Sequence, residues 1–214
     1  MVNPNPSFNK STQAELKPGV YSTKLPGLLY IEYKKFIDER GFFTQFYQIP
    51  NINQALATPF EVKQMNWSHS QTNVVRGFHA EGWNKLVTTM SGIAYCVLAD
   101  IRQNSPTFGQ TESFLFEFNP TSPIGSGLFI PAGIANSICV LQGPVNYLYV
   151  VDKIYEDRDP SQDTAIHLFD PDLAVEWPIA KDQMICSARD LESVTLKKFV
   201  SQHAGHPIFN FNSN

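Results

Sequence analysis

The run Asn73-Val74-Val75-Arg76-Gly77-Phe78-His79-Ala80 sets an arginine and a histidine three residues apart around a glycine in a strand-like stretch. An imidazole exchanges protons near neutral pH, and a guanidinium holds anionic oxygens in pairs. Strict alternation along a strand would point positions 76 and 79 to opposite faces. For both to line one pocket the strand must bulge at Gly77, where the missing Cβ makes the distortion cheap. Without that bulge, His79 is a structural residue of a β-rich chain. Lys85 follows six residues later, after the hairpin-like Glu81-Gly82-Trp83-Asn84. A hairpin there carries its ammonium toward His79; the plain alternative is a strand-end lysine reaching solvent.

Metal chemistry is poorly served by the same region. His79 with Glu81 at i+2 offers one imidazole and one carboxylate, and Pro131-Ala132-Gly133-Ile134-Ala135-Asn136 presents Asn136 where a further nitrogen ligand would be needed. His203 and His206 lie in a polar stretch near the end, and His69 and His167 have no recognisable partners. The chain has no Gly-x-Gly-x-x-Gly, Gly-x-x-x-x-Gly-Lys-Ser/Thr, Gly-x-Ser-x-Gly or His-Glu-x-x-His motif, so hydride transfer on a dinucleotide and P-loop hydrolysis lose support.

The elements that hold these residues read as short strands. Phe114, Phe116 and Phe118 alternate onto one face, and Tyr147, Tyr149 and Val151 onto another. Turn chemistry recurs at Asp38-Glu39-Arg40-Gly41, Ser91-Gly92, Asn104-Ser105-Pro106, Pro131-Ala132-Gly133 and Gln142-Gly143-Pro144, a spacing that predicts an all-β sandwich or barrel. Helix signals are confined to about 51–56 and a short piece within 187–199. The Asn-, Pro- and Ser-rich start predicts a flexible extension over 1–24, with one domain over 25–197 and a tail over 198–214.

Composition bounds the partners. Across 214 residues, 43% hydrophobic and 13% aromatic content belong to a packed globular protein. With 16 Lys+Arg against 20 Asp+Glu, the net charge of −4 leaves no basic field for a nucleic-acid backbone. No apolar run approaches the ~20 residues of a membrane span, and 1–16 lacks the apolar segment of a secretion signal. Cys96, Cys139 and Cys186 are odd in number and flanked by apolar residues, which predicts reduced thiols in the cytoplasm.

Seven collinear blocks carry a family resemblance: Asp38-Glu39-Arg40-Gly41-Phe42-Phe43, Gln64-Met65-Asn66-Trp67-Ser68, Val75-Arg76-Gly77-Phe78-His79, Lys85-Leu86-Val87, Asp100-Ile101-Arg102 with Ser105-Pro106-Thr107-Phe108-Gly109, Ile130-Pro131-Ala132-Gly133, and Asp170-Pro171-Asp172-Leu173 before Trp177-Pro178. Over about 25–191 the chain resembles the dTDP-4-dehydrorhamnose 3,5-epimerase family. The resemblance implies a cupin fold, a double-stranded β-helix or jelly-roll barrel with short peripheral helices. It also implies a cytoplasmic isomerase with no metal and no cofactor, acting on a nucleotide-linked 4-keto sugar, and a strand-exchanged homodimer.

By the same resemblance His79 is the base, Asp190 its carboxylate partner, Lys85 the group beside the enolate oxygen and Tyr149 the acid. Arg40, Gln64, Asn66, Arg76, Asn136 and Tyr155 match substrate-binding positions, with Arg40 reaching the partner subunit's pocket. The chain departs from the family at Asn136, where a histidine is usual, at Gln45, where an acidic residue is common, and at Glu81, which replaces a glutamine. Those departures keep a non-catalytic sugar-nucleotide binder open beside the epimerase, and a metal-dependent cupin oxygenase is a third reading.

Overall fold

The computed structural model describes residues 4–211. In chain order its strands are β1 (Glu15–Lys17), β2 (Val20–Ser22), β3 (Leu29–Asp38), β4 (Gly41–Thr44), β5 (Gln64–Ser70), β6 (Val75–Ala80) and β7 (Lys85–Thr89). They continue as β8 (Ile93–Asp100), β9 (Thr111–Glu117), β10 (Ile124–Ile130), β11 (Ile134–Gln142), β12 (Val145–Val151) and β13 (Thr164–Ala165). Short α-helices, α1 (Ile49–Asn53), α2 (Ala188–Leu191) and α3 (Leu196–Gln202), lie outside the sheets.

The strands build two antiparallel sheets, one ordered β1-β2-β3-β10-β7-β12-β5 with β4 on β3, the other β13-β6-β11-β8-β9. Val87, Leu128 and Tyr147 from the first pack against Cys96, Leu98, Phe114 and Ile138 from the second, so a core lies between them. This is the cupin jelly roll. Alternation sets which side chains enter it: in β5, Met65, Trp67 and His69 are exposed while Gln64, Asn66 and Ser68 turn inward. In β8, Ala94 through Asp100 are all buried. A second apolar layer, with Phe78, Val97, Ile166, Leu168, Leu196 and Phe199, packs on the outer face of its sheet, which is why the strand reads as an apolar run and not as an alternating one.

Both ends differ from the sequence expectation. Within the predicted extension, β2 pairs with β3, and the Phe8 ring packs tilted against Tyr30 and Phe114, with centroids 4.6 and 4.9 Å away. Within the predicted tail, Phe199 and Phe209 are buried, and the Arg102 guanidinium sits 4.9 Å over the Phe211 ring. The cause is the same at each end: single aromatic anchors in polar stretches, each able to contribute ~2 kcal/mol when buried, are lost in an averaged composition. The outermost positions, 1–3 and 212–214, lie outside the described residues.

The segment 81–84 is likewise no hairpin. Both edges of β6 are taken, by β11 and β13, so the chain crosses to the other sheet before forming β7. Asn84 fastens the crossing: its amides donate to Asp152 at 2.9 and 2.6 Å and its Oδ1 accepts from the Ala132 N–H at 3.0 Å. Lys153 donates to the Gly82 carbonyl at 2.6 Å.

A buried polar knot closes one end of the fold. The Asp100 carboxylate receives the Arg102 Nε at 2.9 Å, its Nη2 at 2.7 Å, its backbone N–H at 3.1 Å, and the hydroxyls of Ser105 and Thr107 at 2.6 and 2.7 Å. Arg102 also donates to the Pro26 carbonyl at 2.9 Å. Burial works to raise the Asp100 carboxyl, but these donors and the guanidinium charge hold it below its ordinary value.

Candidate active site

The bulge at Gly77 is present. Across β6 and β11, Asn136 pairs with His79 and Ile138 with Arg76, so Gly77 and Phe78 together oppose Ser137 alone. Gly77 has φ +124°, and a Cβ there would lie 2.6 Å from the Asn136 carbonyl oxygen and the Ser137 Cα. Only glycine fits that approach. The extra residue sends Phe78 into the outer layer against Trp177, with ring centroids 5.8 Å apart, and leaves Arg76 and His79 on the wall of one cavity.

That cavity, about 240 Å³, is lined by Ser68, Arg76, His79, Glu81, Lys85, Asn136, Ile138, Tyr147 and Tyr149. A larger one, about 600 Å³, lies between β2, β3 and the segment 45–52 but holds no histidine, and none of the residues expected to do chemistry reaches it. Size therefore does not locate the chemistry here; the imidazole and its carboxylate do.

Asp190 arrives from 111 positions away. Ile185 bridges in parallel to Val74, with the Ile185 N–H on the Asn73 carbonyl at 2.8 Å and the Val75 N–H on the Ile185 carbonyl at 3.0 Å. Ser187 then caps α2 by accepting the Asp190 N–H at 3.2 Å, which aims Asp190 at β6. Asp190 Oδ1 lies 2.6 Å from His79 Nε2, while Nδ1 has no hydrogen-bond partner among the described residues. Burial raises the Asp190 carboxyl, but His79 and the Ser187 hydroxyl outweigh it and hold the group below its ordinary value. The ionised carboxylate thus accepts a hydrogen bond from Nε2.

The opposite wall belongs to the other sheet. Lys85, buried, forms an ion pair with Glu81. Tyr149 shows no hydrogen bond from its hydroxyl among the described residues; burial, then the charge of Glu81, raises its phenol against a lowering by Arg76. Tyr149 therefore keeps its phenolic proton at neutral pH. Arg76 donates its Nε to Ser70 at 2.9 Å. Gln64 and Asn66 occupy β5 beside β12, Asn66 directly across from Tyr149, and are bonded to each other at 2.7 Å. Gln64 also accepts the Tyr155 N–H at 2.8 Å, and the exposed Tyr155 ring lies 3.6 Å under the Arg158 guanidinium.

Of the expected binding residues, Gln64, Asn66 and Tyr155 do not line this cavity, and neither does Arg40. Arg40 sits at the turn between β3 and β4, bound to Asp38 with its side chain 83% exposed. Conversely, Ser68, Glu81 and Tyr147 line the cavity without having been singled out as site residues. Two of them were within reach of alternation: Tyr147 precedes Tyr149 by two in one strand, and Ser68 follows Asn66 by two in another.

A jelly roll whose cavity sets a carboxylate-bound imidazole against a phenol and a buried ammonium belongs among the cupins equipped for proton transfer. The family model for dTDP-4-dehydrorhamnose 3,5-epimerase matches residues 22–198. The chain belongs to that family. It is 34% identical to the dTDP-4-dehydrorhamnose 3,5-epimerase of Salmonella typhimurium over 76% of this chain and 87% of the relative. It is 32% identical to that of Shigella flexneri, over 75% and 87%. Among solved structures it is similar to the dTDP-6-deoxy-D-glucose-3,5-epimerase of Legionella pneumophila in complex with dTDP-4-keto-L-rhamnose, with TM-score 0.78, 29% identity, and 91% of this chain and 98% of that one covered. It also resembles NovW, a 4-keto-6-deoxy sugar epimerase of Streptomyces spheroides, with TM-score 0.79, 25% identity and 98% of both chains covered.

Proposed function

We propose that this chain is an epimerase that inverts C3, C5 or both of a nucleotide-linked 4-keto-6-deoxy sugar, with dTDP as the nucleotide. The observation that carries the reading is the 2.6 Å pair of His79 and Asp190 on one wall of a cavity whose other wall holds Tyr149 and Lys85. A C4 carbonyl makes the neighbouring C3 and C5 hydrogens acidic. His79 Nδ1 takes one of these protons, and the electron pair left on carbon moves onto the carbonyl oxygen as an enolate. Lys85 stabilises that oxygen, and Asp190 stabilises the imidazolium. Tyr149 then delivers its phenolic proton to the opposite face of the carbon, which inverts the centre; the imidazolium gives its proton to solvent and the phenolate takes one back, restoring both groups. Arg76 holds diphosphate oxygens, and Gln64, Asn66 and Tyr155 line the approach of the nucleotide.

The chain works as a homodimer in this reading, with Arg40 completing the partner's site. Supporting it are an apolar row on the edge strand β5, where Trp67 is 69% exposed beside Met65, and the exposed Phe36 and Phe43 of the β3–β4 hairpin that carries Arg40. The free thiols of Cys96, Cys139 and Cys186 support a reducing, cytoplasmic setting. Among the described residues no helix is long and apolar enough to cross a membrane.

Incubation with dTDP-4-keto-6-deoxyglucose in D2O tests the chemistry: deuterium enters C3, C5 or both. Tight binding with no label would make the protein a sugar-nucleotide binder instead. Light scattering on the eluting protein tests the assembly, with a dimer expected for the wild type and a monomer for Trp67→Glu.

A further inference from the structure

Asn136 and Tyr147 form a pair that the proton-transfer steps do not use. Register places Asn136 directly across from His79, so the two side chains are neighbours on the cavity wall. Its Nδ2 donates to the Tyr147 hydroxyl oxygen at 3.5 Å, while its Oδ1 is buried and has no hydrogen-bond partner among the described residues. Tyr147 is 5% exposed. Its oxygen accepts from Asn136, and its own proton has no acceptor among the described residues. Burial pushes this phenol well above its ordinary value, so the proton stays on the oxygen.

The cavity therefore presents a free acceptor and a free donor side by side, both neutral, next to the base. A carboxylate or phosphate would meet the Asn136 oxygen unfavourably, and a methyl group would leave both atoms unpaired. A hydroxyl satisfies both, donating to Oδ1 and accepting from the phenol. We infer that Asn136 and Tyr147 are a specificity pair that reads one sugar-ring hydroxyl, at or next to the carbon addressed by His79, and discriminates against substrates deoxygenated there. This rests on the cavity being the sugar site. It assigns Tyr147 a role apart from Tyr149: a fixed hydrogen-bond donor that never gives up its proton.

The test uses ligands that do not react. Dissociation constants of dTDP-6-deoxyglucose and of its 2-deoxy and 3-deoxy counterparts are measured by calorimetry on wild type, Asn136→Leu and Tyr147→Phe. In the wild type one of the two deoxy ligands binds about 10- to 100-fold more weakly than the parent, as expected when one or two hydrogen bonds are lost and their buried partners stranded. Each variant reduces that preference, with Tyr147→Phe keeping the ring and thus the packing if Asn136→Leu fails to fold. A wild type indifferent to both hydroxyls, or a preference that survives intact in Tyr147→Phe, overturns the inference. The readout is separate from turnover. A protein that shows the preference but incorporates no deuterium refutes the epimerase and keeps the pair; one that labels without the preference does the reverse.

Discussion

Two buried polar clusters in this molecule have opposite bookkeeping. In the knot at Asp100, the carboxylate is saturated by five donors and the guanidinium is shared with the Pro26 carbonyl and the Phe211 ring. In the cavity, the His79 Nδ1, the Asn136 Oδ1 and the hydroxyl protons of Tyr147 and Tyr149 lack partners among the described residues. The knot's Asp100, Arg102, Ser105 and Thr107 come from one motif block, the cavity's His79 from another with partners outside the blocks, and both clusters sit on the same jelly roll. The saturated one ties together strand β8, the approach to β3 and the C-terminal segment. The open one leaves groups that only a ligand can satisfy. Unmet hydrogen-bonding capacity, more than the presence of charge, separates the binding region from the structural one.

Four changes would break or sharpen this contrast. His79→Asn removes the base, so deuterium exchange falls by at least ~10²–10⁴-fold while the urea midpoint stays near that of the wild type. A large loss of stability instead would move His79 to the structural class. Arg102→Ala strands a fully buried carboxylate, at a cost of ~3–5 kcal/mol in urea unfolding. The fraction that remains folded keeps its exchange rate, and a specific loss of exchange would show that the two clusters are coupled.

Tyr149→Phe comes next. Product formation slows by ~10²-fold, more than loss of the substrate proton to solvent, and an equal fall in both rates would take the acid role from Tyr149. The smallest effect is on acid stability. Asp100 has a lower pKa folded than unfolded, so its stabilisation is fully present above the ordinary carboxylate value of about 4 and is lost as pH falls through the folded value. Asp190 adds in the same direction. Thermal melts of Asp100→Asn should accordingly flatten below about pH 4 relative to wild type, whereas an unchanged acid slope would mean that the knot does not titrate on unfolding.

Much of the architecture was legible in the chain. Period-two aromatics in β9 and β12, with turn chemistry between runs, foretold an all-β fold, and Gly77 between Arg76 and His79 marked where a bulge had to fall if the two were to share a pocket. The ends were not legible, because Phe8, Phe199, Phe209 and Phe211 act singly and their partners lie far along the chain. Residues 81–84 carry turn residues whichever strand follows, so the sequence there does not distinguish a hairpin from a crossing between sheets.

The order of residues by itself determined the strand alternation, the glycine that lets Arg76 and His79 share a face, and the inventory of imidazole, carboxylate, ammonium and phenol, since these depend on local geometry and side-chain chemistry. Family resemblance named Asp190 as the partner of His79, but only tertiary structure brings the two together across 111 positions, sets Lys85 facing the imidazole from the other sheet, and leaves Asn136 and Tyr147 with an acceptor and a donor free. Those outcomes follow from sheet order and from which hydrogen bonds remain unmade once the chain has closed, and no spacing along the sequence encodes them.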